Sequence, residues 1–108
     1  MTERYTTFKD FYPYYLSEHS DGTCRFLHFM GSCCVLTLLA IAIATGSWFL
    51  CLFLPVAGYG FAWVGHFFFE KNRPATFSYP FYSLLADWVM MKDIIIGRVP
   101  MFGVLEAR

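Results

Sequence analysis

Residues 26–69 have the sequence FLHFMGSCCVLTLLAIAIATGSWFLCLFLPVAGYGFAWVGHFFF, a run of 44 residues without a single Asp, Glu, Lys or Arg. A helix that spans a membrane needs about 20 consecutive, predominantly apolar residues. The run is therefore long enough for two spans and too short for three. A small, polar, turn-forming cluster, TGS at 45–47, lies near its middle. We predict an antiparallel helical hairpin with spans over roughly 28–45 and 48–69.

The composition of the whole chain agrees with a membrane protein. Hydrophobic residues make up 57% of the 108 residues and charged residues only 15%, against about 25% charged in ordinary soluble domains. Eight basic and eight acidic residues give a formal net charge of zero, so the basic surface of a nucleic-acid-binding protein is excluded. The alternative is a soluble protein with a buried hairpin, but so small a domain has little polar surface with which to cover two such helices.

The positions of the basic residues indicate how the hairpin lies in the bilayer. They precede and follow the uncharged run, and the turn at 45–47 has none. By the positive-inside rule, both termini are expected in the cytoplasm. The apolar run also begins too far along the chain for a signal peptide. The basic residues are Arg4, Lys9 and Arg25 before the run, and Lys71, Arg73, Lys92, Arg98 and Arg108 after it.

The segment before the hairpin predicts an additional helix. In residues 5–19, aromatic side chains recur at steps of three and four, which places them on one helical face. Such a face indicates an interfacial helix that lies at the level of the lipid headgroups. Pro13 lies within it and could break or kink it.

The segment after the hairpin predicts a third helix over residues 80–97. Pro80 suits its first turn and Gly97 its C-terminal cap. Its charged residues argue against a full crossing, so we expect an amphipathic helix that packs on the cytoplasmic side of the hairpin or is half-buried in the interface. The whole prediction is a single all-α, membrane-embedded domain over 1–108.

The three histidines of the chain, His19, His28 and His66, are predicted to meet at one depth. With Gly46 as the tip of the hairpin, His28 and His66 lie 18 and 20 residues away, or roughly 27 and 30 Å of helix. A turn at 20–22 could bring His19 to the same place. Ionisable groups at the edge of the membrane core are costly and tend to have a function. Three neutral imidazoles can bind a transition metal; ordinary hydrogen-bonded histidines and an axially held haem are the alternatives.

Neighbouring acids are candidates for orienting these imidazoles. Glu18 adjoins His19, and Glu70 follows His66 by one helical turn; carboxylates in such places fix the tautomer of a ligating histidine. Asp87 is a further candidate, as a fourth ligand or a base, although it could also lie on a solvated face of the third helix. The four cysteines show no CxxC spacing, which argues against a zinc cluster, and we interpret them as small apolar residues.

The string VGHFFFEKNRPA at 64–75 resembles the GH-x-x-x-EK-x-RPA signature of the 2-hydroxy fatty acid dioxygenase family. Upstream, His19 and His28 follow Tyr15 and the pair Phe11-Tyr12, an arrangement similar to the family's aromatic segment with two histidines. The best-known member is a fungal endoplasmic-reticulum enzyme of phytosphingosine breakdown. This chain is shorter and resembles a compact bacterial version, which implies the bacterial inner membrane.

The resemblance implies an integral membrane enzyme that uses Fe(II) and O2. Its activity would be α-oxidation, which shortens a 2-hydroxy fatty acid by one carbon, and Zn could replace iron in recombinant protein. A non-enzymatic or haem-binding hairpin that serves as an interaction module is the alternative, and a homo-oligomer is plausible in either case. The implied metal ligands are His19, His28 and His66; the candidate catalytic residues are Arg25, Glu70 and Lys71; the candidate residues around the metal are Glu18, Asp87 and Tyr15.

Overall fold

The computed structural model describes residues 5–74 and 77–103. Arg4, Ala75 and Arg108, which entered the arguments on charge and motif, lie outside these residues. The described residues form helices and contain no β-strand, which confirms the all-α class. The α-helices are α1 (Phe8–Ser17), α2 (Gly22–Thr45), α3 (Leu54–Val64) and α4 (Pro80–Ile95), and α3 is extended by a 3-10 segment (Trp48–Phe53) and a π-helical segment (Gly65–Glu70).

Helix α2 begins six residues before the predicted start of the first span. The side chain of Asp21 caps it by accepting hydrogen bonds from the backbone N–H groups of Thr23 and Cys24. Such a cap satisfies donors that have no partner inside the helix. The helix ends where the break at 45–47 was predicted, because Gly46 takes a left-handed conformation with φ of 71°.

The helix that returns from this turn runs without interruption over Trp48–Glu70. Its last six residues widen into a π-helical turn, a feature that is rare and often found at functional sites. Lys71 ends it with φ of 61°, and the backbone N–H groups of Lys71 and Asn72 both donate to the carbonyl of His66. The widened end therefore directs the chain back toward His66.

The two long helices pack antiparallel with close contact at two glycines. A Cβ atom at Gly65 would lie 2.9 Å from the sulfur of Cys24, and one at Gly31 would lie 3.0 Å from the carbonyl oxygen of Ala57. Small residues allow membrane helices to approach in this way. Both helices are long and apolar enough to cross a membrane, with mean hydropathies of 2.2 and 1.6.

Helices α1 and α4 form a second packing unit around aromatic side chains. Phe11 and Tyr15 of α1 are buried against Ala86 and Met90 of α4. The aromatic face of α1 therefore packs on the apolar face that α4 offers, and the location of α1 at the level of the lipid headgroups stays a prediction. Helix α1 also continues through Pro13 without a break.

Helix α4 begins at Pro80, as predicted, but ends at Ile95, two residues before the predicted end, and Gly97 takes φ of 87° just beyond it. A hydrogen bond from the hydroxyl of Tyr12 to Asp93, 2.7 Å long, also joins α4 to α1. The charged residues of α4 are therefore partly used in packing between helices.

Candidate metal centre

The structure brings the three imidazoles together in a buried cluster. His19 lies in the loop between α1 and α2, His28 lies in α2, and His66 lies in the π-helical segment. Their ring centroids are 4.4 Å apart for His19–His28 and His19–His66, and 5.0 Å for His28–His66. The common depth expected from the distances to Gly46 therefore agrees with the fold.

Each imidazole is oriented by an oxygen atom at Nδ1. His19 contacts the carbonyl of Tyr15 at 2.6 Å, and His28 contacts the carbonyl of Cys24 at 2.9 Å. His66 contacts the side-chain oxygen of Asn72 at 2.7 Å. These oxygens can only accept, so Nδ1 donates in all three rings and, in the neutral ring, Nε2 carries a lone pair.

The free nitrogens point at one another. Nε2 of His19 and Nε2 of His28 are 3.0 Å apart, and neither has a proton to donate in the neutral tautomers set by Nδ1. Two lone pairs at this distance repel unless a cation lies between them. With metal–nitrogen bonds of about 2.1 Å, two nitrogens at a right angle lie about 3.0 Å apart, so the pair has the spacing of two ligands of one ion.

Burial keeps the imidazole of His19 neutral. Desolvation of the fully buried ring, together with the imidazoles of His28 and His66, lowers the pKa of His19 well below its usual range. His19 is therefore neutral at physiological pH, which is the form that binds metals.

Cys24 is a fourth potential ligand that the sequence analysis interpreted as a small apolar residue. It is fully buried, and its sulfur is 3.8 Å from Nδ1 of His28. The ligand atoms of Cys24 and the three histidines all lie within 4.8 Å of one another. The sequence feature that could have identified Cys24 as a ligand is its spacing from His28. The two residues are four positions apart and share one helical face.

Tyr15 and Asp87 lie beside His19. The ring of Tyr15 stacks on His19 with centroids 4.1 Å apart, and its hydroxyl donates to Asp87. Desolvation raises the pKa of Asp87 to about 7, although the hydrogen bond from Tyr15 opposes the shift. Asp87 is partly buried against α1, so the interpretation of a solvated helix face was wrong for it.

Ser83 is a polar residue of the site that the sequence analysis missed. Its side chain is 2% exposed and lines the cavity among the three histidines, as does Asp87 one helical turn later. Among the described residues its hydroxyl has no hydrogen-bond partner. A buried hydroxyl without a partner is uncommon and indicates a ligand or water at this position. The sequence feature that could have identified Ser83 is its position four residues before Asp87, on the same face of the helix.

Arg25 is fully buried at the edge of the site. Its guanidinium donates to the backbone carbonyls of His19, Ser20, Pro100 and Gly103. These contacts hold the loop that carries His19 against the segment after α4. A role for Arg25 in binding a carboxylate stays a prediction.

The two acids expected to orient the imidazoles contact other groups. Glu70 accepts hydrogen bonds from the backbone N–H of Asp21 and from Ser20, so it closes the loop before α2. Glu18 accepts from the side-chain amide of Asn72, which also donates to the Glu18 carbonyl. Orientation of the rings comes from backbone carbonyls and Asn72, which the sequence analysis did not single out.

Lys71 lies outside the histidine cluster. It is exposed and lines an outer cleft with Arg73 and the rings of Phe67 and Phe68. Its backbone, in the left-handed conformation, ends the second long helix. A catalytic role for Lys71 stays a prediction.

The space among the imidazoles fits an ion and not a macrocycle. The cavity lined by the three histidines has a volume of about 10 Å³, the space of about one water molecule. A haem between His28 and His66 would have to lie between rings whose centroids are only 5.0 Å apart. The donor set of three oriented imidazoles and a thiol therefore fits a single transition-metal ion, and the haem alternative does not fit.

Comparison with known proteins identifies a family for this chain. Residues 5–99 match the family described as 2-hydroxy-palmitic acid dioxygenase Mpo1-like, which confirms the resemblance drawn from residues 64–75. Comparison with curated proteins and with solved structures gives no match. The matched range covers most of the chain, including all three histidines. The chain therefore belongs to the 2-hydroxy-palmitic acid dioxygenase Mpo1-like family.

Proposed function

We propose that this protein is an integral membrane, Fe(II)-dependent dioxygenase that shortens a 2-hydroxy fatty acid by one carbon. The family's name supports the substrate and the use of O2. The two long apolar helices support a membrane location, with both termini in the cytoplasm by the positive-inside rule. The same imidazoles would accept Zn(II) in recombinant protein.

One observation carries the proposal for a metal. The Nε2 atoms of His19 and His28 lie 3.0 Å apart, while both Nδ1 atoms donate to backbone carbonyls. A proton shared between the rings would be the other way to relieve the repulsion, but the lowered pKa of His19 disfavours it. A cation held by His19, His28 and His66 accounts for the arrangement.

The reaction balances with O2 as the only oxidant. One 2-hydroxy acid and one O2 give one acid shorter by a carbon, one CO2 and one water. When bound at the imidazoles, Fe(II) would supply Lewis acidity and the activation of O2. The protein side chains would then bind and orient the acid head and exclude bulk water.

Side chains of α4 and α1 would hold the polar head of the substrate. The hydroxyl of Ser83 lies at the cavity without a hydrogen-bond partner in the part of the chain that the structure describes, and Asp87 lies one turn away with a pKa of about 7. Asp87 can therefore hold or release a proton near neutral pH, and Tyr15 fixes the direction of its carboxylate. Asn72 and the carbonyl of Tyr15 keep two imidazoles oriented.

Arg25, Glu70 and Lys71 have separate proposed roles. We assign Arg25 and Glu70 to positioning, because both hold the loop of His19 through the hydrogen bonds described above. Lys71 lies in the outer cleft, where it could attract an acidic headgroup on its way to the site.

The proposal is tested by metal analysis and O2 consumption on the protein purified in detergent without oxygen. We expect close to one iron per chain, and O2 consumption that depends on a 2-hydroxy fatty acid and yields the acid shorter by one carbon. Single Ala variants of His19, His28 and His66 should lose both iron and turnover. Cys33→Ala is the matched control and should keep both, since Cys33 is not part of the cluster.

Two results would contradict the proposal. The metal site is refuted if the variant with all three histidines replaced retains full iron occupancy. The activity is refuted if the iron-loaded protein consumes no O2 with 2-hydroxy acids of any chain length.

A further inference from the structure

A second and larger cavity lies between α2, α3 and α4. Its volume is about 200 Å³, and its lining is mostly apolar. An apolar cavity of about 150 Å³ is already large enough to hold benzene. This cavity can therefore take up part of an apolar ligand. The apolar part of its lining is Val35, Leu54, Pro55, Gly58, Leu84 and Trp88.

The larger cavity adjoins the metal centre. His28, Tyr59 and Asp87 line both this cavity and the small cavity among the imidazoles. A ligand in the larger cavity would therefore have one end beside the histidines and beside the carboxyl group of Asp87.

The cavity extends from the histidines along the hairpin toward its turn. Along α2 its lining runs from His28 to Val35, which is roughly 10 Å at 1.5 Å per residue. Along the second helix it reaches Leu54 and Pro55, 11 to 12 residues from His66 and close to the 3-10 segment. In a bilayer this is the direction from the headgroups into the hydrocarbon, so a lipid would enter with its polar head at the histidines.

We infer that this cavity binds the alkyl chain of the fatty acid next to its acid head, and that Gly58 determines how much of the chain it accepts. The identity of the head rests on the proposed function. The binding of the chain rests on the cavity, its apolar lining and its continuity with the histidine cluster.

Gly58 is a position at which the cavity can be filled with little disturbance. A Cβ atom there would lie 3.5 Å from Val35, an ordinary van der Waals contact, with no other atom outside the local backbone within 4 Å. A Leu side chain at this position would extend into the space beside Val35, which is part of the cavity lining. Gly58→Leu should therefore fill the site with little strain on the two helices.

Gly60 provides a matched control. It lies two residues further along α3, about 200° around the helix from Gly58. It is exposed, does not line the cavity, and a Cβ atom there would meet nothing within 4 Å. Gly60→Leu makes the same change of residue in the same helix without occupying the cavity.

The test measures chain binding separately from catalysis. Trp88 lines the cavity. In protein with Trp48 and Trp63 changed to Phe, Trp88 is the remaining tryptophan. Its fluorescence should be quenched when hexadecanoate with bromine in mid-chain binds in the cavity. We expect saturable quenching in the zinc-loaded protein, at least tenfold weaker binding in Gly58→Leu, and unchanged binding in Gly60→Leu. With iron, Gly58→Leu should lose turnover of 2-hydroxyhexadecanoate and keep turnover of a short 2-hydroxy acid.

Four outcomes decide between the two proposals. Equal quenching in the Gly58→Leu and unsubstituted proteins, or equal loss in Gly60→Leu, overturns the cavity as the chain site. Oxidation of 2-hydroxyhexadecanoate at full rate by Gly58→Leu also overturns it. Chain binding that follows the expected pattern, with no oxidation of any 2-hydroxy acid, supports the cavity and contradicts only the proposed function.

Discussion

Replacement of Asn72 by Ala would remove the side chain that orients His66. The amide oxygen of Asn72 accepts from Nδ1 of His66 at 2.7 Å, and its nitrogen donates to the Glu18 carbonyl at 3.1 Å and to the Glu18 carboxylate at 3.3 Å. His66 is 2% exposed, so water has little access to the N–H that the substitution leaves without a partner.

We expect Asn72→Ala to reduce both the free energy of unfolding and the metal affinity. Leaving one buried donor unsatisfied costs about 1–3 kcal/mol of folding free energy. Loss of a partner that orients a metal-bound histidine costs about 10–100-fold in metal affinity, or about 1.4–2.7 kcal/mol. We therefore expect Asn72→Ala to bind Zn(II) or Fe(II) 10–100-fold more weakly, although none of the proposed ligands is changed.

The assay is competition for the metal against a chromophoric chelator, together with thermal unfolding of the metal-free protein in detergent. Asn72→Asp is the control, because its carboxylate still accepts from His66 while the donors to Glu18 are lost. It should keep the metal affinity within a few fold and lose thermal stability. Metal affinity in Asn72→Ala equal to that of the unsubstituted protein would refute the reasoning.

Three further predictions concern packing, pH and the loop of His19. Gly65→Ala places a Cβ atom 2.9 Å from the sulfur of Cys24, so thermal unfolding should show that the free energy of unfolding falls by about 1–3 kcal/mol. Gly60→Ala is the control and should leave the free energy of unfolding unchanged or raise it. Asp87 has a folded-state pKa of about 7, above its unfolded value of about 3.9, so its contribution to stability is present at low pH and is lost as pH rises from about 4 to 7. Asp87→Asn should flatten that part of the profile of thermal midpoint against pH, and an unchanged slope would contradict the assignment. Arg25→Lys cannot satisfy four backbone carbonyls, so it should lower the thermal midpoint more than Gly65→Ala, and a midpoint equal to that of the unsubstituted protein would contradict the positioning role.

The hairpin and the common level of the histidines were predictable because they depend on the numbers of residues between features of the chain. The uncharged run 26–69 and the cluster at 45–47 set the helix lengths, and the helical rise then places His28 opposite His66. His19 followed from the turn before α2. None of these steps required knowledge of how side chains pack.

The atoms that orient the rings were not predictable in the same way. Two of the three Nδ1 partners are backbone carbonyls, which every residue possesses, so no residue type identifies them. The third, Asn72, reaches His66 only because the π-helical turn and the left-handed Lys71 reverse the chain. The packing partner of the aromatic face of α1 was not predictable either, because Met90 and its neighbours on α4 lie more than 70 residues away in the chain.

The three histidines are carried by different parts of the fold, and this affects how metal binding and folding are coupled. His28 and His66 belong to the hairpin, whereas His19 is attached to α1, which rests on α4. An ion held by all three would connect the two long apolar helices to the α1–α4 pair. We expect the hairpin to form without the ion, and metal loading to fix the α1–α4 pair against it. Amide hydrogen exchange should accordingly slow in α1 and α4 on loading and change little in the hairpin.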